Sequence, residues 1–232
     1  MPITSYDDYV RAEWDAFLGN PERARATLEA VSKLNVTRVL DLACGAGQEL
    51  LPFVSRKGTL AVGLDISPEI GRAGPELINL TKPEAKVFFV RGAAEALPFP
   101  GGSFDVVICR VALPYMRNVD AIAEIARTLR PAGVLLLKYH HLFYYLRKLW
   151  RAKLTRDQPS SAYAKHVLVE GTKYLVTGKQ PTPWYDISET YQTRWTLQKK
   201  LKQHGLAIRR KMPDSSYCSP SYLITKCASP SR

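Results

Sequence analysis

Residues 39–48 read VLDLACGAGQ, an apolar run that leads into small residues and then into a helix-forming stretch. The run predicts a buried strand, and the glycines after it allow the backbone to turn tightly and to approach a ligand closely. A helix that begins directly after such a loop presents free N–H groups to the ligand. The segment is not a dinucleotide-binding fingerprint, because Leu50 occupies the third glycine position. Asp41 precedes the loop, and its carboxylate suits a ligand that carries an amine or another cation.

The first 140 residues repeat this alternation of short apolar runs and helical stretches. The predicted strands are residues 37–42, 60–65, 86–91, 104–109, 134–139, 206–212 and 221–227. The predicted helices are residues 7–17, 21–33, 48–54, 68–80, 119–129 and 193–204. Such alternation is typical of a parallel sheet with helices on both faces. The turn at residues 213–220 is too short for a crossover helix. We therefore expect an α/β, Rossmann-like fold with a mostly parallel sheet of seven strands whose last strand is antiparallel.

The composition excludes several classes of protein. With 232 residues, 46% of them hydrophobic and 23% charged, the chain can bury an ordinary core, so disorder and collagen-like repeats are excluded. Its uncharged apolar runs are shorter than the roughly 20 residues of a membrane-spanning helix, and its N-terminus is acidic. We therefore expect a soluble, unsecreted, cytoplasmic protein. The cysteines lack C-x-x-C spacing, so we expect no metal site and no disulfide framework; they are Cys44, Cys109, Cys218 and Cys227.

The net charge of +12 is confined to the C-terminal part of the chain. Residues 1–140 hold 16 basic and 16 acidic side chains, whereas residues 141–232 hold 17 basic and 5 acidic ones. This asymmetry indicates that an anionic ligand, a nucleic acid or a membrane surface approaches the C-terminal part. A solvated basic face is the alternative that stays open.

Two further motifs follow the loop. Residues 63–67, GLDIS, place Asp65 at the end of the second predicted strand, about 20 residues after the loop, where a carboxylate can accept both hydroxyls of a ribose. Ser67 directly precedes Pro68 and is the better helix cap, so we expect Asp65 to be free for a ligand. The run RGAAEALPFP at residues 91–100 then leads into the fourth predicted strand, which begins at Phe104.

In this order and spacing, the three motifs resemble the class I S-adenosylmethionine-dependent methyltransferases, especially the branch with quinone-biosynthesis and other small-molecule methyltransferases. The resemblance covers about residues 37–138 and implies S-adenosylmethionine as the cofactor. It implies that the methionine moiety is held by Asp41, Ala43, Gly45 and Gly47 and bordered by Arg110. It also implies that the ribose is held by Asp65, that the adenine ring packs on Ile66, and that the adenine edge is lined by Ala94 and Glu95. One departure concerns Ala93, since members of the family often carry an aspartate there that accepts from the adenine amino group.

The acceptor side is expected after the fifth predicted strand. Residues 139–195 hold eleven of the 23 aromatic residues, and residues 142–154 have the spacing of an amphipathic basic helix. Such a helix can cover the sheet or a pocket, form a lid over an aromatic or lipid-like acceptor, or contact a membrane surface. The candidate bases for a hydroxyl acceptor are His140 and His141. Tyr115 follows the fourth strand and either faces the acceptor or packs in the core.

We interpret residues 1–232 as one domain. Its expected parts are N-terminal helices at 1–36, a cofactor-binding core at 37–139, an acceptor lid at 140–192, and a last helix with two closing strands at 193–232. The expected activity is O- or C-methylation of a small molecule that is aromatic, anionic or lipid-like, without an obligate protein partner. Two alternatives remain open at this point. The charge also suits an RNA (tRNA) methyltransferase, and Ala93 also suits a non-catalytic protein that binds or scaffolds.

Overall fold

A mixed sheet is the centre of the fold in the computed structural model, which describes residues 5–54, 58–70, 72–179, 181 and 189–227. Over these residues the strands are β1 (Arg38–Leu42), β2 (Leu60–Asp65), β3 (Val87–Arg91), β4 (Phe104–Arg110), β5 (Leu129–Lys138), β6 (Leu206–Lys211) and β7 (Ser221–Lys226). Their order in the sheet is β3-β2-β1-β4-β5-β7-β6. The first five strands pair in parallel, and β7 runs antiparallel to both β5 and β6. The predicted fold class is confirmed.

Helices cover both faces of this sheet. Successive side chains of a strand point to opposite faces, and the apolar side chains on each face are buried beneath helices. They are α1 (Tyr6–Leu18), α2 (Pro21–Ala30), α3 (Leu51–Val54), α4 (Ala73–Thr81), α5 (Asn118–Thr128), α6 (Leu142–Leu154), α7 (Gln158–Thr177) and α8 (Arg194–Gln203). Leu40 and Leu42 point to the face covered by α5 and α8. Val39 points to the opposite face and packs in a cluster with Phe53 of α3.

The order in which strands are added to the sheet reverses at β1: β2 and β3 lie on one side of it, and β4 and β5 lie on the other. This strand lies between β2 and β4, so the connection after β1 leads to one side and the connection after β3 crosses to the other. In open parallel sheets a crevice forms at such a switch point, outside the carboxyl ends of the strands. The loop after β1 and the residues after β2 and β4 therefore meet at one edge.

The observed elements differ from the predicted ones in two places that bear on function. The helix predicted from residue 68 begins only at Ala73, because residues 68–70 form a turn. Residues 158–177, which had no predicted element, form α7. Its start signals are present in the sequence, since Asp157 accepts a hydrogen bond from the Ser160 N–H and Pro159 lies in the first turn. The predicted basic helix at residues 142–154 is confirmed as α6.

Helices α6 and α7 follow β5 and precede α8 in the chain, and they pack on each other. Tyr145 of α6 and Val167 of α7 form a buried apolar cluster with Tyr191, which precedes α8. Among the described residues, no helix combines the length and the apolar character that crossing a membrane requires.

Candidate functional site

A cleft of about 1040 Å³ opens at the carboxyl ends of β1, β2 and β4. Its lining includes Tyr6, Tyr9, Arg23, Asp41, Ala43, Gly45, Glu49, Asp65, Arg110, Tyr115, Lys138, His140, Tyr144, Tyr163 and Asp214. Ligand pockets in proteins commonly measure about 300–1,000 Å³, so the cleft has room for a cofactor and a second small molecule. Acidic and basic side chains lie at the strand ends, and aromatic side chains come from α1, α6 and α7.

The loop after β1 turns through a series of left-handed residues. The φ angles of Ala43, Gly45 and Gly47 are 53°, 53° and 80°. Ala43 is not a glycine, and a left-handed backbone costs such a residue roughly 1–2 kcal/mol, a kind of strain that often occurs at binding sites. A side chain at Gly47 would come within 3.0 Å of the Phe89 ring. The loop therefore needs small residues for its own packing as well as for access to a ligand.

Asp65 connects this loop to the end of β2. One carboxylate oxygen accepts a hydrogen bond from the Gly45 N–H at 3.0 Å, and the other accepts from the Ser67 N–H at 3.0 Å. Ser67 Oγ accepts a hydrogen bond from the Glu69 N–H at 3.1 Å, and Asp65 has two local hydrogen bonds of its own. A carboxylate oxygen has more than one acceptor position, so Asp65 fixes the loop and still has capacity for hydroxyl groups in the cleft.

A buried network of charges forms the floor of the cleft. Arg110 at the end of β4 forms ion pairs with Glu49 and Asp214, with 2.9 Å between Arg110 Nε and Glu49 Oε1. Arg23 of α2 also pairs with Glu49, and Lys138 Nζ lies 3.1 Å from Asp214 Oδ2. Burial alone would raise the pKa of Asp214, but Arg110 and Lys138 outweigh it and lower the pKa to about 2. The sequence alone did not reveal Arg23, Glu49 or Asp214 as site residues; the one local signal was that Glu49 directly follows the loop.

Asp41 lies beside this network and lacks a complete set of partners. Its side chain is buried, and Oδ2 has no hydrogen-bond partner within the part of the chain that the structure describes. Burial and the nearby Glu49 carboxylate raise its pKa well above the usual range. A buried carboxylate of this kind is stabilised by a cation, so the cleft floor fits a positively charged group of a ligand.

The opposite wall of the cleft is aromatic. The ring of His140 stacks on the ring of Tyr144, with 3.7 Å between the centroids and 4° between the planes. His140 Nδ1 lies 3.4 Å from the Tyr145 hydroxyl oxygen and 3.9 Å from Oε1 of the buried Glu189. Tyr145 donates its hydroxyl proton to Glu189 in a hydrogen bond. Burial and the Glu189 carboxylate raise the pKa values of both Tyr145 and Tyr115. Glu189 was not identified from the sequence.

The two adjacent histidines have different surroundings. His141 is absent from the cleft lining, and its Nδ1 accepts a hydrogen bond from the Phe143 N–H at 3.4 Å at the start of α6. Its ring stacks against the Phe143 ring, and burial lowers its pKa. Of the two candidate bases, the structure therefore brings His140 into the cleft and places His141 outside it.

Three residues predicted for the adenine side are absent from the lining of the cleft. Ile66 follows Asp65 and is 70% exposed. Ala94 is buried in the core with Leu64. The Glu95 carboxylate accepts a hydrogen bond from the Arg117 N–H at 2.8 Å at the start of α5. Gly47 is also absent from the lining, and the ligand contacts of all four residues stay predictions.

Comparison with known proteins finds similarity over the core of the chain. Residues 39–133 match the model of a methyltransferase domain. A ubiquinone/menaquinone biosynthesis C-methyltransferase of Shewanella piezotolerans is 34% identical over 117 residues, which are 49% of this chain and 46% of that protein. A demethylmenaquinone methyltransferase of Renibacterium salmoninarum is 33% identical over 144 residues, which are 60% of this chain and 56% of that protein. The chain spans about half the length of the curated relatives that it matches.

Solved structures show the same fold. The crystal structure of magnesium protoporphyrin IX methyltransferase from Synechocystis, with bound SAH, has a TM-score of 0.61 and 19% sequence identity. The alignment covers 90% of this chain and 83% of that chain. The likeness extends beyond the segment that matches the family model and includes much of the C-terminal part.

Proposed function

Because residues 39–133 belong to the class I S-adenosylmethionine-dependent methyltransferases, we propose that this protein methylates a small molecule in the cleft described above. The observation that carries the proposal is the pairing of two unlike surfaces in one cleft: an acidic floor beside a left-handed loop, and an aromatic wall that carries His140. The floor suits the cofactor, and the wall suits the acceptor.

The residues of the floor fit the chemistry of S-adenosylmethionine. The cofactor carries an amino group, a sulfonium and a ribose, so it needs acidic and carbonyl groups. Asp41 supplies a buried carboxylate whose Oδ2 has no partner among the described residues. Asp65 supplies acceptor oxygens at the end of β2, and the loop at Ala43 and Gly45 exposes its backbone to the cleft. Asp41, Ala43, Gly45, Asp65 and Arg110 are therefore the residues that we assign to the cofactor.

The bound cofactor supplies a methyl group on a sulfonium, whose displacement leaves a neutral thioether. Transfer of such a group depends on alignment and on exclusion of water. The stacked rings of His140 and Tyr144 form a rigid flat surface that holds a planar acceptor and covers it from solvent. For a hydroxyl acceptor, the His140 imidazole takes the proton, and the Glu189 carboxylate, 3.9 Å from Nδ1, stabilises the imidazolium that results.

The wall also narrows the class of acceptor. Tyr115, Tyr144 and Tyr163 present ring surfaces to the cleft, which favours an aromatic or lipid-like molecule. Two of the relatives are named for quinone-related substrates, whose hydroquinones are phenols. We therefore propose a phenolic acceptor, methylated at oxygen or at ring carbon.

Calorimetric titration tests the cofactor half of the proposal, and transfer of labelled methyl groups tests the acceptor half. We expect S-adenosylhomocysteine to bind the wild-type protein and NADH not to bind. Label from S-adenosylmethionine should then enter simple hydroquinones or naphthoquinols. Binding of NADH without binding of S-adenosylhomocysteine would contradict the whole proposal, whereas cofactor binding with no transfer to any phenol would contradict only the acceptor class.

A further inference from the structure

Helix α6 has two faces with opposite surroundings. Its inner face carries Tyr144, which lines the cleft, and the buried residues Tyr145 and Ala152. Its outer face carries Leu146, Trp150 and Leu154, which are 42%, 65% and 70% exposed. These three residues follow one another at intervals of four, so they form one apolar stripe along the outside of the helix.

The stripe is bordered by positive charge. Arg147, Arg151 and Lys153 are exposed on the same side of α6, and the helix contains no acidic residue. None of these three cations forms an ion pair within the described ranges. The outer face of α6 therefore combines large apolar side chains, one of them an indole, with three uncompensated cations.

This combination selects one kind of partner. An anionic lipid surface offers hydrocarbon at the depth of a Trp or Leu side chain and phosphate at the level of an Arg or Lys head group. RNA offers phosphate but no apolar layer to match the stripe. A second copy of the chain would bring the same cations face to face, which is unfavourable.

We propose that the outer face of α6 (Leu146, Arg147, Trp150, Arg151, Lys153 and Leu154) docks the protein on an anionic membrane surface. The helix lies in the plane of the interface over its length of about 20 Å. Because its inner face is a wall of the cleft, docking brings the cleft next to the bilayer, from which a lipid-like acceptor can enter. The docking itself does not depend on the proposed function; only this last consequence rests on it.

Vesicle sedimentation tests the proposal on the full chain without any turnover. We expect binding to vesicles of phosphatidylcholine mixed with phosphatidylglycerol, and much weaker binding to phosphatidylcholine alone. Each exposed cation contributes about fivefold to partitioning on an anionic surface, so Arg147→Gln, Arg151→Gln and Lys153→Gln together should weaken binding about a hundredfold. Trp150→Glu and Leu154→Glu should each weaken it about tenfold or more.

The matched control is Leu80→Glu, since Leu80 is an equally exposed leucine on α4, at the far edge of the sheet. It should leave vesicle binding unchanged. Brominated lipids should quench part of the tryptophan fluorescence in the wild type and in Trp195→Phe, and less in Trp150→Phe, because Trp150 is the residue that enters the lipid.

Three results would overturn the proposal. The first is equal binding to neutral and anionic vesicles, or none to either. The second is a loss of binding in Leu80→Glu as large as in Trp150→Glu. The third is evidence that the outer face binds a different partner. Such evidence would be a dimer in sedimentation equilibrium that Trp150→Glu dissociates, or tight RNA binding that the triple Gln variant abolishes while vesicles do not bind. Because each variant's cofactor binding is measured separately, failure here leaves the proposed methyl transfer untouched.

Discussion

The floor and the wall of the cleft are built from different kinds of interaction. The floor lies at the ends of β1, β2 and β4, and charged side chains hold it together. Its residues Asp41, Glu49, Asp65 and Arg110 lie within the segment that matches the methyltransferase family, whereas Arg23, Lys138 and Asp214 join them from outside that segment. Apart from Tyr115, the wall comes from His140, α6, α7 and Glu189, beyond residue 133 where that match ends, and aromatic stacking dominates it. This difference underlies our proposal that the floor holds the cofactor and that the wall selects the acceptor.

The largest effect on the floor is expected from Arg110→Met. Removing this guanidinium leaves Glu49 with Arg23 and Asp214 with Lys138 as the remaining cations, which should lower the free energy of unfolding by about 3 kcal/mol. Urea denaturation measures the change. Arg147→Met on exposed α6 is the control and should shift stability by less than about 0.5 kcal/mol. Similar losses in both variants would mean that the floor is not a special ionic site.

The wall can be tested with the adjacent histidines. His140→Ala should reduce kcat for a hydroxyl acceptor about a hundredfold or more, since general base catalysis commonly contributes that much. His141→Ala should change kcat only a few-fold, because this ring lies outside the cleft. Cofactor affinity should stay the same in both. If the two variants lose activity equally, or if His140→Ala loses cofactor binding instead, the division between floor and wall is wrong.

Asp65→Ala removes the carboxylate that connects the loop after β1 to the end of β2. We expect it to weaken S-adenosylhomocysteine binding by about 1.5–3 kcal/mol, because the variant loses charged hydrogen bonds to the ligand and the bond that fixes the Gly45 N–H. Calorimetry at constant pH gives the value. Asp65→Asn keeps one acceptor oxygen, so its affinity for S-adenosylhomocysteine should lie between those of the wild type and Asp65→Ala. A wild-type affinity in Asp65→Ala would remove this residue from the site.

The smallest effect concerns Asp41 and its dependence on pH. The pKa of Asp41 is higher in the folded than in the unfolded protein. The contribution of this group to the free energy of unfolding is therefore complete below about pH 4 and is lost as pH rises through the folded-state pKa. Asp214 behaves in the opposite way, since its folded-state pKa is lowered to about 2. Its stabilisation is complete above about pH 4 and is lost as pH falls toward 2. Asp41→Asn should therefore gain about 1 kcal/mol of stability at neutral pH, lose that advantage in acid, and bind the cofactor less tightly. Urea midpoints at several pH values, compared with the wild type, measure this, and a variant that is less stable at neutral pH would contradict it.

The parts of the molecule that local sequence patterns determine could be predicted from the sequence. Periodicity and turn residues over short distances predict the seven strands, the antiparallel last strand, the loop at Gly45 and the strand end at Asp65. They also predict that His140 lies near the carboxyl edge of the sheet. The floor network did not follow in the same way. Asp214 reaches Arg110, 104 residues earlier in the chain, only because the antiparallel pairing of β5 with β7 brings the turn before β7 to the cleft.

The wall was harder to predict for a different reason. Helix α7 has weak amphipathic character and a glycine at position 171, which packs against the Tyr191 ring, so hydrophobic periodicity did not reveal it. Glu189 follows residues with no periodic pattern, and its place beside Tyr145 depends on how the chain returns to the sheet. Trp184 and Tyr185, which were counted with the aromatic acceptor segment, lie outside the described residues.

The most direct test of the account is calorimetric titration of S-adenosylhomocysteine into two proteins, the wild type and a wall variant that combines Tyr144→Ala with His140→Ala. We expect binding to both with affinities within a few-fold of each other, together with loss of methyl transfer in the variant alone. A loss of cofactor affinity in the wall variant as large as that in Asp65→Ala would contradict it, since floor and wall would then form a single site.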